Sequence, residues 1–161
     1  MKNNKIITVL TILVSFIAFT VAAYAENATA YWSDTADKKI SKIELKTQSS
    51  KTVRLKVDIP NNAILKAYSA ILYYDNSNVS ASVKGSPDSK MTPLNINDNE
   101  GAIVFNSFDV SGVTGKVSIA DITLSGMNSS QSHCSILFTA FGESTEKQFL
   151  PKTSVLEITV K

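Results

Sequence analysis

From Val53 onward the sequence settles into a two-residue alternation. In KTVRLKVDIP, Val53, Leu55, Val57 and Ile59 fall on one side of an extended chain, and Arg54, Lys56 and Asp58 on the other. That is the period of a strand with one buried face. Pro60 and the turn formers Asn61-Asn62 end it, because proline has no N–H to add to a ladder. Alternating segments of this kind recur to the C-terminus, and beyond the first 25 residues no apolar pattern at helical spacing runs for ten residues or more. Short strands separated by Gly, Asn, Ser and Pro can bury their apolar sides only by stacking sheet on sheet. The expected class is all-β, a two-sheet β-sandwich.

The remaining strands differ in informative ways. AILKAYSAILYYDNSNVSASV sets Ala67, Ser69, Ile71 and Tyr73 on one face and Tyr68, Ala70, Leu72 and Tyr74 on the other. Such a strand is expected to be central and covered on both sides. Asp75-Asn76-Ser77-Asn78 then makes a turn, since Asp and Asn side chains bond to the backbone two residues on. KGSPDSKMTPLNINDNEG reads as a polar connection. In GAIVFNSFDVSG, Ile103 and Phe105 share a face and Phe108 falls on the other unless a bulge intervenes. In GKVSIADITLSG, Val117 and Ile119 are out of phase with Ile122 and Leu124. One extra residue near Ala120-Asp121 returns all four to the core, which predicts a bulge or crossover there. HCSILFTAFGE and SVLEITVK supply the last two strands, with Leu156, Ile158 and Val160 facing away from Glu157 and Thr159. Ile40, Ile43 and Leu45 suggest an earlier strand with a broken alternation, and a short helix there has little support.

The chain opens MKNNKIITVLTILVSFIAFTVAAYA: Lys2 and Lys5, an apolar run from Ile6, then small residues at Ala23 and Ala25. This is the pattern of an export signal cleaved after residue 25. The run of roughly 18 mostly apolar residues approaches the ~20 that span a bilayer, so an uncleaved N-terminal anchor is the alternative. Thr8, Thr11, Ser15 and Thr20 interrupt the run. The organisation expected is a leader at 1–25, a lead or edge strand at 26–39, and one sandwich at 40–161, located in the periplasm, on the cell surface or secreted. A membrane is met only through an uncleaved N-terminal segment.

Two of the 16 basic residues lie in that leader, and the rest balance the 14 acidic ones. No basic stripe supports a nucleic-acid partner. Cys134 is the single cysteine, so no intramolecular disulfide forms and the core alone must hold the exported domain. Cys134 reads as a small buried hydrophobe, with intermolecular pairing or lipid attachment as the other reading.

Candidate chemistry is sparse. His133 is the only histidine, and beside Cys134 it suggests a thiolate and base, but successive strand residues point to opposite faces. No motif selects a pair of carboxylates for glycoside hydrolysis. Asn97, Asp98, Asn99 and Glu100 offer oxygens for a structural calcium, or simply a loop. Tyr31 and Trp32 are the nearest thing to a sugar-stacking platform, and Trp32 alternatively seals the end of the sandwich. The sequons at Asn27, Asn78 and Asn128 read as turns. No cofactor and no enzymatic activity are expected.

Three segments carry a family resemblance. KTVRLKVDIP resembles the opening strand of cohesin-type domains. AYSAILYYDNSNVSAS resembles their inward-facing run ending in Tyr-Asp, here Tyr74-Asp75, with Val79 at the next apolar site. GAIVFNSFDVSGVTGKVSIADITLSG resembles their later Gly-led segment. The chain departs from the family at Asn76, where Pro is usual, and near Ser135, where a leading Gly is common. The resemblance spans about Ile40 to Lys161. It implies a jelly-roll sandwich, a stand-alone exported bacterial form of the module, that presents one sheet face to an extracytoplasmic protein partner or associates with itself. A polysaccharide-binding module has similar strand patterning and is the alternative.

Overall fold

The computed structural model describes residues 28–86, 91, 93, 95–145 and 147–161. The leader assigned to residues 1–25, and Asn27, lie outside the described residues. Eleven strands follow in order: β1 (Thr29–Ser33), β2 (Lys39–Ile40), β3 (Lys42–Leu45), β4 (Ser50–Ile59), β5 (Leu65–Tyr74), β6 (Val79–Lys84), β7 (Asn95–Asn99), β8 (Ala102–Val113), β9 (Gly115–Gly126), β10 (Ser130–Gly142) and β11 (Leu156–Val160). They form two sheets, one of five strands in the order β2-β1-β4-β9-β6 and one of six in the order β3-β11-β10-β5-β8-β7. Every pairing of strands is antiparallel except β11 with β3. The two-sheet sandwich expected from the alternation is what forms.

The inner faces meet in one core. Val53, Leu55, Val57 and Ile59 of β4 are all buried, as are Leu156, Ile158 and Val160 of β11. Pro60 and Asn61-Asn62 end β4 in a turn closed by the Ala63 N–H on the Pro60 carbonyl at 3.0 Å. In the core, Tyr68 packs edge-on against Phe105 and Phe138, and its hydroxyl donates to the carbonyls of Met91 (3.2 Å) and Ile119 (3.4 Å). A buried phenol needs such acceptors, because an unpartnered hydroxyl in apolar surroundings is costly.

The phase breaks in the sequence mark real irregularities. On β9, Ala120 lies opposite Leu55 while Ser118 lies opposite Lys56, so Ile119 is the extra residue. The predicted bulge sits one position earlier than Ala120-Asp121, and Ile119, Ile122 and Leu124 all reach the core. The broken alternation between Ile40 and Ile43 is where the chain leaves one sheet for the other, with β2 in the five-stranded sheet and β3 in the six-stranded one.

Three expectations need correction. The segment assigned as a lead or edge strand before residue 40 contains β1, which is hydrogen-bonded on both sides, to β4 and to β2. It belongs to the sandwich because Ala30 and Trp32 supply core side chains. The connection after Lys84 holds a strand, β7, whose polar sequence hides it. Finally, β5 is central, between β10 and β8, yet it is covered on one face only. Among the described residues all regular structure lies in the two sheets, and no helix stands over the second face.

Candidate binding face

That uncovered face is the outer side of β10, β5, β8 and β7. Register fixes its composition. Leu137, Ile71, Val104 and Asn97 are aligned across the four strands in one row, and Ser135, Tyr73, Ala102 and Asn99 in the next. On the other side of the first row come Ala140, Ser69 and Asn106, and beyond them Ala67 lies between Phe108 and Gly142. Leu137 is 50% exposed, Tyr73 43% and Phe108 63%. Ile71 and Val104 are half-buried. Exposed apolar residues scattered singly are ordinary, but a contiguous apolar group is not.

Phe108 owes its position to the end of β8. The pairing of β5 with β8 is regular from Tyr73 to Ala67 and then shifts, so that Leu65 meets Val113. Residues 109–112 are looped out between them. The Asp109 carboxylate accepts the N–H groups of Ser111 (2.7 Å) and Gly112 (3.0 Å), which closes the loop. Gly112 has φ +71°, and a Cβ there would collide with the side chains of Ile64 and Lys66. Only glycine meets both conditions without strain. The loop leaves Val110 almost fully exposed beside Phe108.

The flanks of the face are polar. His133, Glu157 and Lys42 are aligned across β10, β11 and β3. In the neighbouring row, Thr159 donates to Gln131 at 3.1 Å, and Lys161 pairs with Glu44 at 2.8 Å. The Lys161 ammonium holds the Glu44 carboxyl below its usual range. An apolar centre with a polar, hydroxyl-bearing surround is the anatomy of a protein-binding surface.

The site residues singled out in the sequence end up apart from this face or divided by it. Trp32 is 1% exposed, and its indole N–H donates to the Ser154 carbonyl at 2.8 Å. It seals the core and offers no ring to a sugar. Tyr31, the adjacent strand residue, points to the opposite side, where the Lys39 ammonium lies 5.4 Å from its ring centre. The two form no platform. Asn97, Asp98 and Asn99 are strand residues of β7 rather than a loop, so Asp98 faces away from the other two, and Glu100 lies in the following turn. They do not converge, and among the described residues no group of three or more His, Cys, Asp or Glu side chains is placed to hold a metal ion. His133 is exposed while Cys134 is fully buried, and burial pushes the thiol up to about 12. A thiolate nucleophile is not available there.

The Tyr74-Asp75 turn behaves as its sequence suggests. The Asp75 carboxylate accepts from the Ser77 N–H at 3.0 Å and from the Asn78 amide at 2.5 Å, and these bonds hold it below the usual carboxylate range. Asn78 is engaged there and Asn128 donates to the Ser77 carbonyl. A groove of about 520 Å³ opens near the β8–β9 turn, lined in part by Ile64, Met91, Gly112 and Lys116. Asp37, the one carboxylate among the described residues of its lining, is bonded to Lys56 at 2.9 Å.

No family model matches the sequence, and no curated protein matches it. Solved structures do. A non-cellulosomal cohesin from the hyperthermophilic archaeon Archaeoglobus fulgidus superposes with a TM-score of 0.66 at 12% identity, covering 84% of this chain and 91% of that one. The sixth cohesin of scaffoldin B from Acetivibrio cellulolyticus, solved in complex with a dockerin, gives 0.66 at 16% identity over 84% and 99%. A cohesin module from a family 33 glycoside hydrolase of Clostridium perfringens gives 0.64 at 12% identity over 84% and 96%. At such identities the likeness is one of architecture: the chain is folded as a cohesin module is.

Proposed function

We propose that this protein is an exported, non-enzymatic binding module that docks another extracytoplasmic protein on the outer face of its six-stranded sheet. The observation that carries the reading is the apolar row of Leu137, Ile71 and Val104, with Tyr73 in the adjacent row and Phe108 beyond the row of Ser69 and Asn106, all on one uncovered sheet face. Covering those groups removes apolar surface from water, at roughly 25 cal/mol per Å² before the costs of association. The cohesins of Acetivibrio cellulolyticus and Clostridium thermocellum that share this architecture were solved as complexes with dockerins, which supports a protein as the partner. The apolar run at residues 1–25, with the pattern of an export signal, supports an exported form. The polysaccharide reading has lost the pair it rested on, since Trp32 is buried and Tyr31 faces away from it.

The test is a pull-down from the envelope and culture fluid of the producing organism, with residues 26–161 as bait and bound proteins and glycans both identified. A Leu137→Asp bait is run in parallel. The expected result is one saturable protein retained by the wild-type bait and lost from the variant. Retention of polysaccharide without protein, or equal retention by both baits, overturns the reading.

A further inference from the structure

We propose that the end of the sandwich where the chain enters β1 is a lipid-facing surface, with Val110, Ile64 and Leu150 resting in the headgroup layer of a phospholipid bilayer. This stands apart from the partner face, which runs along the side of the molecule, and does not depend on it. Register shows what meets at this end. Thr29 pairs with Asp58, Ile59 with Gly115 and Leu65 with Val113, and Ala67 lies between Phe108 and Gly142. The start of β1, the β4–β5 turn, the loop 109–112 with the β8–β9 turn, and the end of β10 are therefore neighbours. The far end holds the starts of β6 and β10 and the C-terminal end of β11, since Val79 pairs with Gly126 and Ser130 with Val160.

The entry end exposes large apolar groups: Val110 is 82% exposed, Leu150 52% and Ile64 38%. The Ile64 side chain lies against Gly112, beside the loop that carries Val110. Leu150 lies where the chain crosses from β10 to β1. On one side of it the Phe149 N–H donates to the Phe141 carbonyl, and on the other the Lys152 N–H donates to the Ala28 carbonyl. Lys66, Lys116, Lys147 and Lys152 stand around these groups. Three carboxylates share the end, and none is presented bare. Asp109 accepts two N–H groups of its own loop, Glu143 is paired with Lys66 and Lys147, and Asp58 faces Lys116 across the ladder. Lys116 and Lys152 make no ion pair among the described residues. At the far end Met127 is exposed singly, beside Asn128 and Ser129. Apolar side chains ringed by lysines suit a bilayer surface, because the aliphatic stems lie along the acyl boundary while the ammonium groups reach the phosphates.

The sequence before residue 28 selects this occupant over a protein. The apolar run from Ile6 to Ala23 ends five residues short of Ala28, and five residues of extended chain reach at most ~17 Å. Retained in a bilayer, that run holds the entry end, and no other part of the sandwich, at the headgroups. The open sheet face then stands upright on the membrane, free for a partner. Phe108 lies at the corner between the two surfaces and is left out of the test.

The experiment is cosedimentation of residues 26–161, which contain every strand described, with vesicles of about 70% phosphatidylcholine and about 30% phosphatidylglycerol. Half-binding is expected near ~1 mM lipid, weaker than the ~0.1 mM of a single myristoyl chain. Val110→Asp and Leu150→Asp should each weaken it at least about fivefold, with an unchanged circular dichroism spectrum. Met127→Asp, the same charge at the far end, and Leu137→Asp, on the partner face, should bind as the wild type does. An environment-sensitive dye on Val110→Cys should shift to the blue on vesicles, and on Met127→Cys should not, while the buried Cys134 takes up no label. Failure to sediment at ~3 mM lipid overturns the proposal. So does wild-type binding by Val110→Asp, or a loss produced by Met127→Asp or Leu137→Asp.

Discussion

The outer faces of the two sheets are built on the same strand period and have opposite chemistry. On the six-stranded sheet the outward positions of β10, β5 and β8 carry Leu137, Ile71, Tyr73, Val104 and Phe108, with Ser135, Ser69 and Asn106 among them. On the five-stranded sheet the outward positions pair with one another. Ser50 bonds to Ser125 at 2.6 Å and Thr52 to Thr123 at 2.9 Å, with Ser80 and Ser82 aligned beyond them on β6. One step further, Arg54 Nε donates to the Asp121 carboxylate at 2.8 Å, and both side chains are buried. Asp37, above them, accepts from Arg54 and Lys56, and these cations hold its carboxyl below the usual range. Covering this face would displace water from groups already satisfied and gain little. Covering the other would bury an apolar row. The inner faces make the sandwich, and the outward residues decide which side would gain by being covered.

The largest effect is expected on the polar side, as a loss of stability. Asp121→Ala leaves the buried Arg54 without its closest carboxylate and should cost about 3–5 kcal/mol in denaturant unfolding. Replacing Arg54 and Asp121 together by apolar residues should recover most of it. On the apolar side the effects should fall on binding instead. Phe108→Ala and Tyr73→Ala should each weaken the recovered partner by about 1–2 kcal/mol in calorimetric titration, with stability changed by no more than about 0.5 kcal/mol. The core between the faces is tested by Cys134, whose thiol is raised by burial to about 12. A folded pKa above the unfolded value gives stability that is full below about pH 9 and is lost as pH rises toward 12. Cys134→Ala should flatten that alkaline decline, and in the native protein the thiol should resist alkylation until the chain unfolds. The smallest effect is expected at Thr52→Ala, about 0.5–1 kcal/mol for one half-exposed hydroxyl pair, with no change in binding.

Much of this was readable from particular residues. Val53 to Ile59 and Leu156 to Val160 reported their faces directly, and the phase slip between Ile119 and Ile122 reported its bulge to within one position. β7 was hidden because Asn97, Asp98 and Asn99 satisfy a turn and a solvent-exposed edge strand equally well. Trp32 had polar neighbours on both sides, which masked a tertiary contact 122 residues away at Ser154. The open apolar face was present as a signal and misassigned. Ile71 and Tyr73 made β5 apolar on both sides, which in a helix-covered sheet means two packed faces. In a two-layer sandwich with no covering helix among its described residues, the second apolar face is left exposed. Arg54 gave no such signal, since its burial depends on Asp121 across the ladder and on Asp37 above it.

The most direct measurement is a titration of the recovered protein partner into two variants that carry the same new charge on opposite faces, Leu137→Asp on β10 and Ser82→Asp on β6. Docking on the six-stranded sheet predicts that Leu137→Asp weakens binding by about 30-fold or more, the loss of a central contact worth ~2 kcal/mol, while Ser82→Asp binds as the wild type does. Wild-type affinity for Leu137→Asp, or a loss confined to Ser82→Asp, would place the partner elsewhere.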